Sequence, residues 1–188
     1  MARISLTPPR TIVYRIAEWY SKRVYGDVLD PGKVYGHNTK VLLAYAGFER
    51  KVAKWKALDP RLTRLAVMAA AARIGCSWCM DFGYWEAHST GIPQEKLRAV
   101  PMWREAREVF TPLELSVLEY ADAMTETEPT VTDAMVDGLV KQLGEPAFVE
   151  LTAVVAVENL RSRVNSAVGL VGQGFKDRCE VPGVPSKA

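Results

Sequence analysis

The hydrophobic residues of this chain recur every three or four positions over most of its length. This spacing places apolar side chains on one face of an α-helix. Near the N-terminus, for example, Ile12, Ile16 and Tyr20 follow the spacing before Gly26 interrupts it. We find no convincing alternating run of β-branched residues bounded by turn residues, which is the pattern of a strand. The pattern therefore predicts an all-α protein.

Capping residues set the boundaries of the predicted helices. Asp59 can accept hydrogen bonds from first-turn amides, and Pro60 occupies the first helical position without losing a bond. Thr111 and Glu114 have the spacing of a capping box. The predicted helices cover 11–26, 39–55, 60–74, 77–90, 93–100, 112–127, 133–143 and 145–170, and 27–38 is expected to be a loop. They would form a single-domain bundle of about seven to eight helices.

The composition is that of an ordinary globular protein. The 188 residues are 48% hydrophobic, which is enough for one core, and a second independent domain is not expected. The net charge is only +2 and the charges are interspersed, so we expect no nucleic-acid partner. The longest apolar runs fall short of the roughly 20 residues that cross a bilayer. Because the N-terminal segment also lacks the apolar region of a secretory signal, we expect a cytoplasmic protein with no membrane partner.

Two of the three cysteines stand close together in the stretch "GCSWCMDFGYWEAHSTG" at 75–91. Cys76 lies where one helix ends and the next begins, and Cys79 lies in the first turn of that next helix. Unpaired amides and the positive end of the helix dipole favour a thiolate there, and Arg73 can add to the effect. In a reducing compartment such a pair is typical of a catalytic or metal-binding site rather than of a structural disulfide.

The best-known uses of a C-x-x-C pair fit this sequence poorly. A zinc site needs four ligands, and outside the pair the chain offers Cys179, His37, His88 and scattered carboxylates. Covalent haem attachment needs a histidine directly after the second cysteine, where this chain has Met80. Thioredoxin-type chemistry uses a βαβ setting. A dithiol on an all-α scaffold remains, and we expect neither a metal nor another cofactor.

This combination resembles the superfamily of carboxymuconolactone decarboxylase and alkylhydroperoxidase D, whose AhpD-like members are all-α. The resemblance spans roughly 35–170: "GCSWCMDFGYWEAHSTGI" after a helix of small residues, then "LSVLEYADAM" at 115–124, then a long apolar helix with Asn and Arg near its end. It implies an AhpD-like domain at 35–172, which an N-terminal helical arm at 1–34 precedes. The segment 173–188 that follows ends in a Pro/Gly-rich stretch and is expected to be a flexible tail. The resemblance also implies a homo-oligomer, since similar proteins assemble as dimers, trimers or hexamers.

The resemblance assigns roles to the two cysteines. In peroxidatic members the second cysteine attacks a hydroperoxide and the first resolves the sulfenic acid into a disulfide. By position, Cys79 would be the nucleophile and Cys76 the resolving thiol, and an electron donor would be needed to complete turnover. The chemistry agrees, because a sulfenic acid condenses readily with a neighbouring thiol.

The chain departs from the proton relay of these peroxidases at three positions. Gly83 stands where the family motif C-x-x-C-x-x-x-H has its histidine, and Trp78 stands where a second histidine is common. Arg64 replaces a glutamate that often lies in the preceding helix. Gly83 is also unusual in mid-helix, which suggests close helix packing or room for a bound molecule.

Other side chains could supply the missing acid or base. His88 would lie about 13 Å beyond Cys79 along the helix, and Glu86 about 10 Å beyond it. Glu158 follows the apolar run "LTAVVAV" in the last helix, and tertiary packing could bring it to the pair. We therefore predict Glu158 as the acid or base. With Asn159 and Arg161 it could instead form a structural network, or line a pocket or subunit interface.

These observations leave three functional hypotheses. The first is an AhpD-like thiol–disulfide oxidoreductase or weak peroxidase that uses Cys79 and Cys76 on a small hydroperoxide. The second is a decarboxylase- or isomerase-like enzyme, in which Arg64 or Arg161 holds a small carboxylated metabolite and the cysteines are incidental. The third is a non-catalytic oligomer that senses redox state.

Overall fold

A computed structural model describes residues 2–179, and this part of the chain is helical, as predicted. The described residues contain nine α-helices: α1 Ile12–Tyr25, α2 Asp30–Tyr35, α3 Thr39–Val52, α4 Pro60–Ile74, α5 Ser77–His88, α6 Gln94–Ala99, α7 Pro112–Thr125, α8 Asp133–Leu143 and α9 Glu145–Ala167. Short 3-10 helices lie at Val100–Met102, Arg107–Val109 and Lys176–Arg178. Within the described part, no helix combines the length and apolar character needed to span a membrane.

The predicted caps are present in the structure. The side chain of Asp59 accepts a hydrogen bond from the amide of Arg61 at 2.7 Å, and Gly75 ends α4 in the left-handed conformation, with φ 79°. Both bonds of the capping box join Thr111 and Glu114 at the start of α7. These local interactions explain why the predicted bounds of α4 and the predicted start of α7 agree with the structure.

Helix α4 lies at the centre of the bundle and packs against α5, α7 and α9. Its buried side chains are Leu62, Leu65, Ala66, Val67, Met68, Ala69, Ala70 and Ala71. The alanines are small, so neighbouring helices can approach closely. On α5, a Cβ added to Gly83 would lie 3.3 Å from Cγ of Met68. Close helix packing, one of the two predicted reasons for this glycine, is therefore confirmed.

Helix α2 is the main departure from the predicted elements, since 27–38 was expected to be a loop. Pro31 lies in its first turn, where a proline loses no hydrogen bond. Lys33 and Asp30 form an ion pair at 2.8 Å, and the ring of Tyr35 stacks on Tyr45 of α3 with 4.1 Å between centroids. A helix of six residues is too short to produce a visible hydrophobic period, and this packing could not be deduced locally.

The two ends of the described chain meet beside α9. The backbone amide of Arg3 donates to the carbonyl of Val168 at 2.8 Å, and its guanidinium donates to the carbonyl of Ala167. Phe175 is completely buried. Residues 173–179 of the predicted tail thus pack on the bundle, whereas 180–188 lie outside the described residues. The division of the chain at 34 and 172 stays a prediction.

Candidate active site

Cys76 and Cys79 are joined by a disulfide at the start of α5. Cys76 is the N-cap residue, and its Sγ accepts a hydrogen bond from the backbone amide of Cys79 at 3.2 Å. The left-handed turn at Gly75 ends α4 and leads directly into this cap. Cys79 is 7% exposed and Cys76 only 1%, so a reagent would reach Cys79 more easily.

Apolar side chains from both ends of the described chain surround the disulfide. Ala71, Trp78 and Leu170 form a buried cluster with the two cysteines. Partly buried side chains complete this cluster from outside: Ala2, Leu6, Leu29, Val34, Met80, Phe82 and Val168. The sulfurs therefore lie in a largely apolar environment, which the N-terminal segment and the residues after α9 close off from solvent.

The segment 172–176 crosses this region and is called here the C-terminal strap. Asp81 on α5 holds it, because its carboxylate accepts the backbone amides of Gln173 at 2.6 Å, Phe175 at 3.1 Å and Lys176 at 2.8 Å. The side-chain oxygen of Gln173 also accepts a hydrogen bond from the indole of Trp78 at 3.2 Å. The strap is thus attached to the residues on either side of Cys79.

Asn165 of α9 contacts the sulfur of Cys79. Its amide nitrogen Nδ2 lies 3.3 Å from Sγ and donates to it, and the side chain is 3% exposed. Asn165 was not among the predicted site residues. The available signal was its spacing of seven residues from Glu158, which places the two side chains on the same face of one helix.

Glu158 is buried on that face, between Ser162 and Arg161. Its carboxylate accepts a hydrogen bond from Oγ of Ser162 at 2.6 Å and forms an ion pair with Arg161 at 3.5 Å. Burial raises the pKa of this carboxyl to about 7, although Arg161 and Ser162 act in the opposite direction. It is about 10 Å along the helix axis from Asn165. Glu158 therefore lies on the same face of α9 as Asn165, but its partners are Ser162 and Arg161 and not a cysteine, and its role as an acid or base stays a prediction.

Arg161 and Arg64, the two candidates for holding a substrate carboxylate, both pair with carboxylates of this chain. Arg161 forms two hydrogen bonds with Glu49 of α3, of which the one from Nε measures 2.8 Å. Arg64 binds Glu86 of α5 at 2.8 Å. Burial raises the pKa of Glu86, and the two arginines oppose this effect. The Glu/Arg network considered for 158–161 is thus present in the structure.

The remaining candidate residues do not reassemble the family's relay. His88 is exposed at the end of α5, and Trp78 stacks on Phe82 with 5.0 Å between ring centroids. Within residues 2–179, no three His, Cys, Asp or Glu side chains converge as a metal site would require. Asn165 is therefore the polar side chain that the structure places at the sulfur.

These elements define a class of protein: an all-α bundle with a C-x-x-C pair at the start of a helix that packs against the central one. The model of the carboxymuconolactone decarboxylase family matches residues 39–123. The uncharacterized protein YnjA from Escherichia coli is 32% identical over 175 residues, which cover 91% of this chain and 92% of that protein. The chain belongs to the carboxymuconolactone decarboxylase family.

Solved structures confirm the AhpD-like fold. An alkylhydroperoxidase AhpD core, an uncharacterized peroxidase-related protein from Ralstonia eutropha, has a TM-score of 0.80 at 15% identity, covering 93% of this chain and 94% of that one. A cysteine-to-alanine variant of the debrominase Bmp8 in complex with 2,3,4-tribromopyrrole has a TM-score of 0.79 at 16% identity, covering 95% and 97%. At these identities the likeness concerns the fold.

Proposed function

We propose that the protein is a thiol–disulfide oxidoreductase that reduces a small hydroperoxide, with Cys79 as nucleophile and Cys76 as resolving thiol. The observation that carries the proposal is the Cys76–Cys79 disulfide at the start of α5, because a disulfide between these two sulfurs is the oxidised product of the proposed reaction. The greater exposure of Cys79 supports the assignment of roles.

The proposed reaction has two steps. The Cys79 thiolate attacks the terminal oxygen of the hydroperoxide, so that an S–O bond forms, the O–O bond breaks, and the departing alkoxide takes up a proton to become an alcohol. Cys76 then attacks the sulfur of the sulfenic acid, the S–S bond forms, and the hydroxyl group leaves as water with the Cys76 proton. A dithiol donor must return two electrons and two protons to the disulfide by thiol–disulfide exchange.

The first test is the reaction of the reduced protein with one equivalent of an alkyl hydroperoxide. Intact mass and free-thiol content, followed over seconds, should show the conversion of Cys76 and Cys79 to the disulfide. The Cys79→Ser variant should not react, and Cys76→Ser should accumulate a sulfenic acid that dimedone traps. Unchanged thiols in the wild type, or full reactivity in Cys79→Ser, would contradict the proposal.

A second candidate is reductive dehalogenation of a small aromatic ring. It is suggested by the structural likeness to the debrominase Bmp8. The same dithiol would balance that reaction: two thiols and an aryl bromide give the arene, bromide, a proton and the disulfide. Incubating the reduced protein with 2,3,4-tribromopyrrole and measuring released bromide separates it from the peroxidase proposal.

The decarboxylase- or isomerase-like alternative has less support. It requires Arg64 or Arg161 to hold the carboxylate of a metabolite. However, Arg64 pairs with Glu86, and Arg161 pairs with Glu49. A metabolite would have to displace these internal carboxylates. This alternative predicts unchanged activity when both cysteines are replaced by serine, which the same variants test.

We also propose that copies of the chain associate. On α1, the side chains of Ile12, Ile16 and Trp19 are 77%, 62% and 65% exposed. They recur at helical spacing and form one apolar face. Apolar patches of this kind on a protein surface are typical of contact sites.

A further inference from the structure

The contact between Asn165 and Cys79 suggests how this chain compensates for the missing relay. The donor atom Nδ2 is 3.3 Å from Sγ, within the range for a hydrogen bond to sulfur. Asn165 belongs to a line of buried polar side chains on α9 that also contains Ser162 and Glu158. Since unpaired polar groups are costly in a core, a buried amide that faces a sulfur calls for an explanation.

The thiolate of Cys79 would need such a donor because its surroundings are apolar. Elements packed against the cysteines contribute Leu6, Leu29, Val34 and Val168, and apolar burial disfavours the charged form of a thiol. The charged groups on the same elements have other partners. Asp81 binds the C-terminal strap, and Arg3 binds the end of α9. Lys33 pairs with Asp30, and Arg73 pairs with Glu126. Glu158, the buried carboxyl on α9, binds Ser162 and Arg161.

The hydrogen bond at the start of α5 goes to the sulfur of Cys76 rather than to that of Cys79. The amide of Cys79 points to the sulfur of Cys76, which is the N-cap atom. A donor for Cys79 must therefore come from another element, and α9 supplies it. Neither Gly83 nor Trp78, at the family's histidine positions, can replace it: the glycine has no side chain, and the Trp78 indole donates to Gln173.

We propose that Asn165 holds the Cys79 thiolate by donating a hydrogen bond to its sulfur, and so takes over one task of the missing histidines. The inference rests on the proposed function, in which Cys79 is the nucleophile. An amide does not titrate, so Asn165 favours the thiolate over the whole working pH range but releases no proton. The proton for the departing alkoxide comes from water or from another acid.

The test uses a protein in which Cys79 is the only thiol, obtained with Cys76→Ser and Cys179→Ser. Serine is a favoured N-cap residue, so the start of α5 is preserved. The rate of alkylation by iodoacetamide is measured from pH 5 to 10. The midpoint of this pH profile is the pH at which half of the Cys79 thiol is ionised. Replacing Asn165 by Leu keeps a side chain of similar size without a donor, and Asn165→Ala is the second variant.

We expect both variants to move the midpoint upward by about one pH unit, as loss of a hydrogen bond to a charged group implies. Alkylation near neutral pH should slow by roughly tenfold. The matched control is Asn159→Leu on the same helix, because Asn159 donates to Thr125 and to the carbonyl of Val155 instead. Its midpoint should equal that of the parent.

A second measurement does not depend on the folding of an Asn165 variant. In the parent with Asn165 intact, the side-chain amide resonances of Asn165 in a ¹H–¹⁵N spectrum should shift with the same midpoint as the alkylation profile. The proposal would be overturned if the Asn165 resonances did not shift with the ionisation of the Cys79 thiol. It would also be overturned if the alkylation midpoints were equal in the parent and both Asn165 variants. If the midpoints differ as expected but the wild type does not consume hydroperoxide, the role of Asn165 stands and the peroxidase function fails.

Discussion

The carboxyl group of Glu158 shows how one buried residue can control stability across the physiological pH range. Burial raises its pKa from 4.5 to about 7 in the folded protein. Between these two values the folded protein keeps a proton that the unfolded chain has released. The free energy of unfolding therefore falls as the pH rises through this window.

The raised pKa predicts how the stability of Glu158→Gln compares with that of the wild type as the pH changes. The glutamine is neutral at every pH. At pH 5 the oxidised wild type and the variant should have similar stability, because Glu158 is protonated. By pH 8 the variant should be more stable than the wild type, by on the order of 1–3 kcal/mol. Urea unfolding of both proteins at several pH values measures the difference.

The control for this prediction is Glu119→Gln, which removes an exposed carboxyl of α7. Its difference from the wild type should stay constant from pH 5 to pH 8. A Glu158→Gln difference that is equally constant would show that the Glu158 carboxyl is already ionised at pH 5.

The residues of the site differ in how far the sequence revealed them. Cys76 and Cys79 are three positions apart in the chain, and their spacing alone identified the dithiol. Asn165 lies 86 positions from its partner, so only the packing of α9 against α5 brings them together. Glu158 was chosen because it is a charge beside a buried run. Its burial on α9 could therefore be predicted, but its distance along the helix from the Cys79 sulfur could not.

The C-terminal strap acts at the scale of secondary-structure elements. Three of its backbone amides bind the carboxylate of Asp81, two residues beyond Cys79. The strap follows Val168 and Leu170, which pack against the cysteines, and it binds Trp78 and Asp81 on α5. We therefore expect a reductant to approach the disulfide past the strap and the N-terminal segment. Opening of the strap is therefore expected to limit the rate of reduction.

Replacing Asp81 by Asn should loosen the strap, because a neutral amide oxygen accepts these bonds more weakly than a carboxylate. We expect dithiothreitol to reduce the disulfide at least several-fold faster than in the wild type, since hydrogen bonds to charged groups contribute about 1.5–3 kcal/mol each. Free thiols, quenched and counted over time, measure the rate.

Asp137→Asn, an exposed change of the same kind on α8, is the matched control. It should leave the reduction rate unchanged. If Asp81→Asn also reduces at the wild-type rate, the strap does not restrict access, and the remaining protection comes from the N-terminal segment.

The helices themselves were largely predictable, since caps and glycines mark their ends. The exceptions are segments whose secondary structure or burial depends on tertiary contacts. Helix α2 is held by its packing on α3. Helix α9 ends at Ala167 rather than near 170, where the chain turns to meet Arg3. The almost wholly apolar run 151–157 favours burial on all sides, but Ala156 is exposed because no described element covers that side of α9.

On the scale of the whole molecule, the apolar face of α1 is the main feature without a partner among residues 2–179. Its exposed aliphatic and aromatic side chains would be buried favourably by association of two or more copies. A glutamate at Trp19 or Ile16 would place a charge in such a contact. Either variant should therefore have a smaller mass in solution than the wild type, as measured by light scattering after size-exclusion chromatography.

The control for the assembly prediction is Gln142→Glu, which introduces the same single negative charge at an exposed site on α8. Its mass should equal that of the wild type. A wild-type protein that runs as a monomer at all tested concentrations would contradict self-association, and the apolar face would then require a different partner.

The same measurement separates an enzyme from a redox sensor. The face formed by Ile12, Ile16 and Trp19 lies in the first two turns of α1, whereas the contact between α1 and the disulfide helix is at the other end, where the ring of Tyr25 packs on Phe82. Breaking the disulfide at the start of α5 should therefore leave this face unchanged. We expect the oxidised and reduced proteins to have equal mass in solution. A mass that changes with oxidation, and does not change in Cys79→Ser, would favour the redox-sensing alternative over the proposed enzyme.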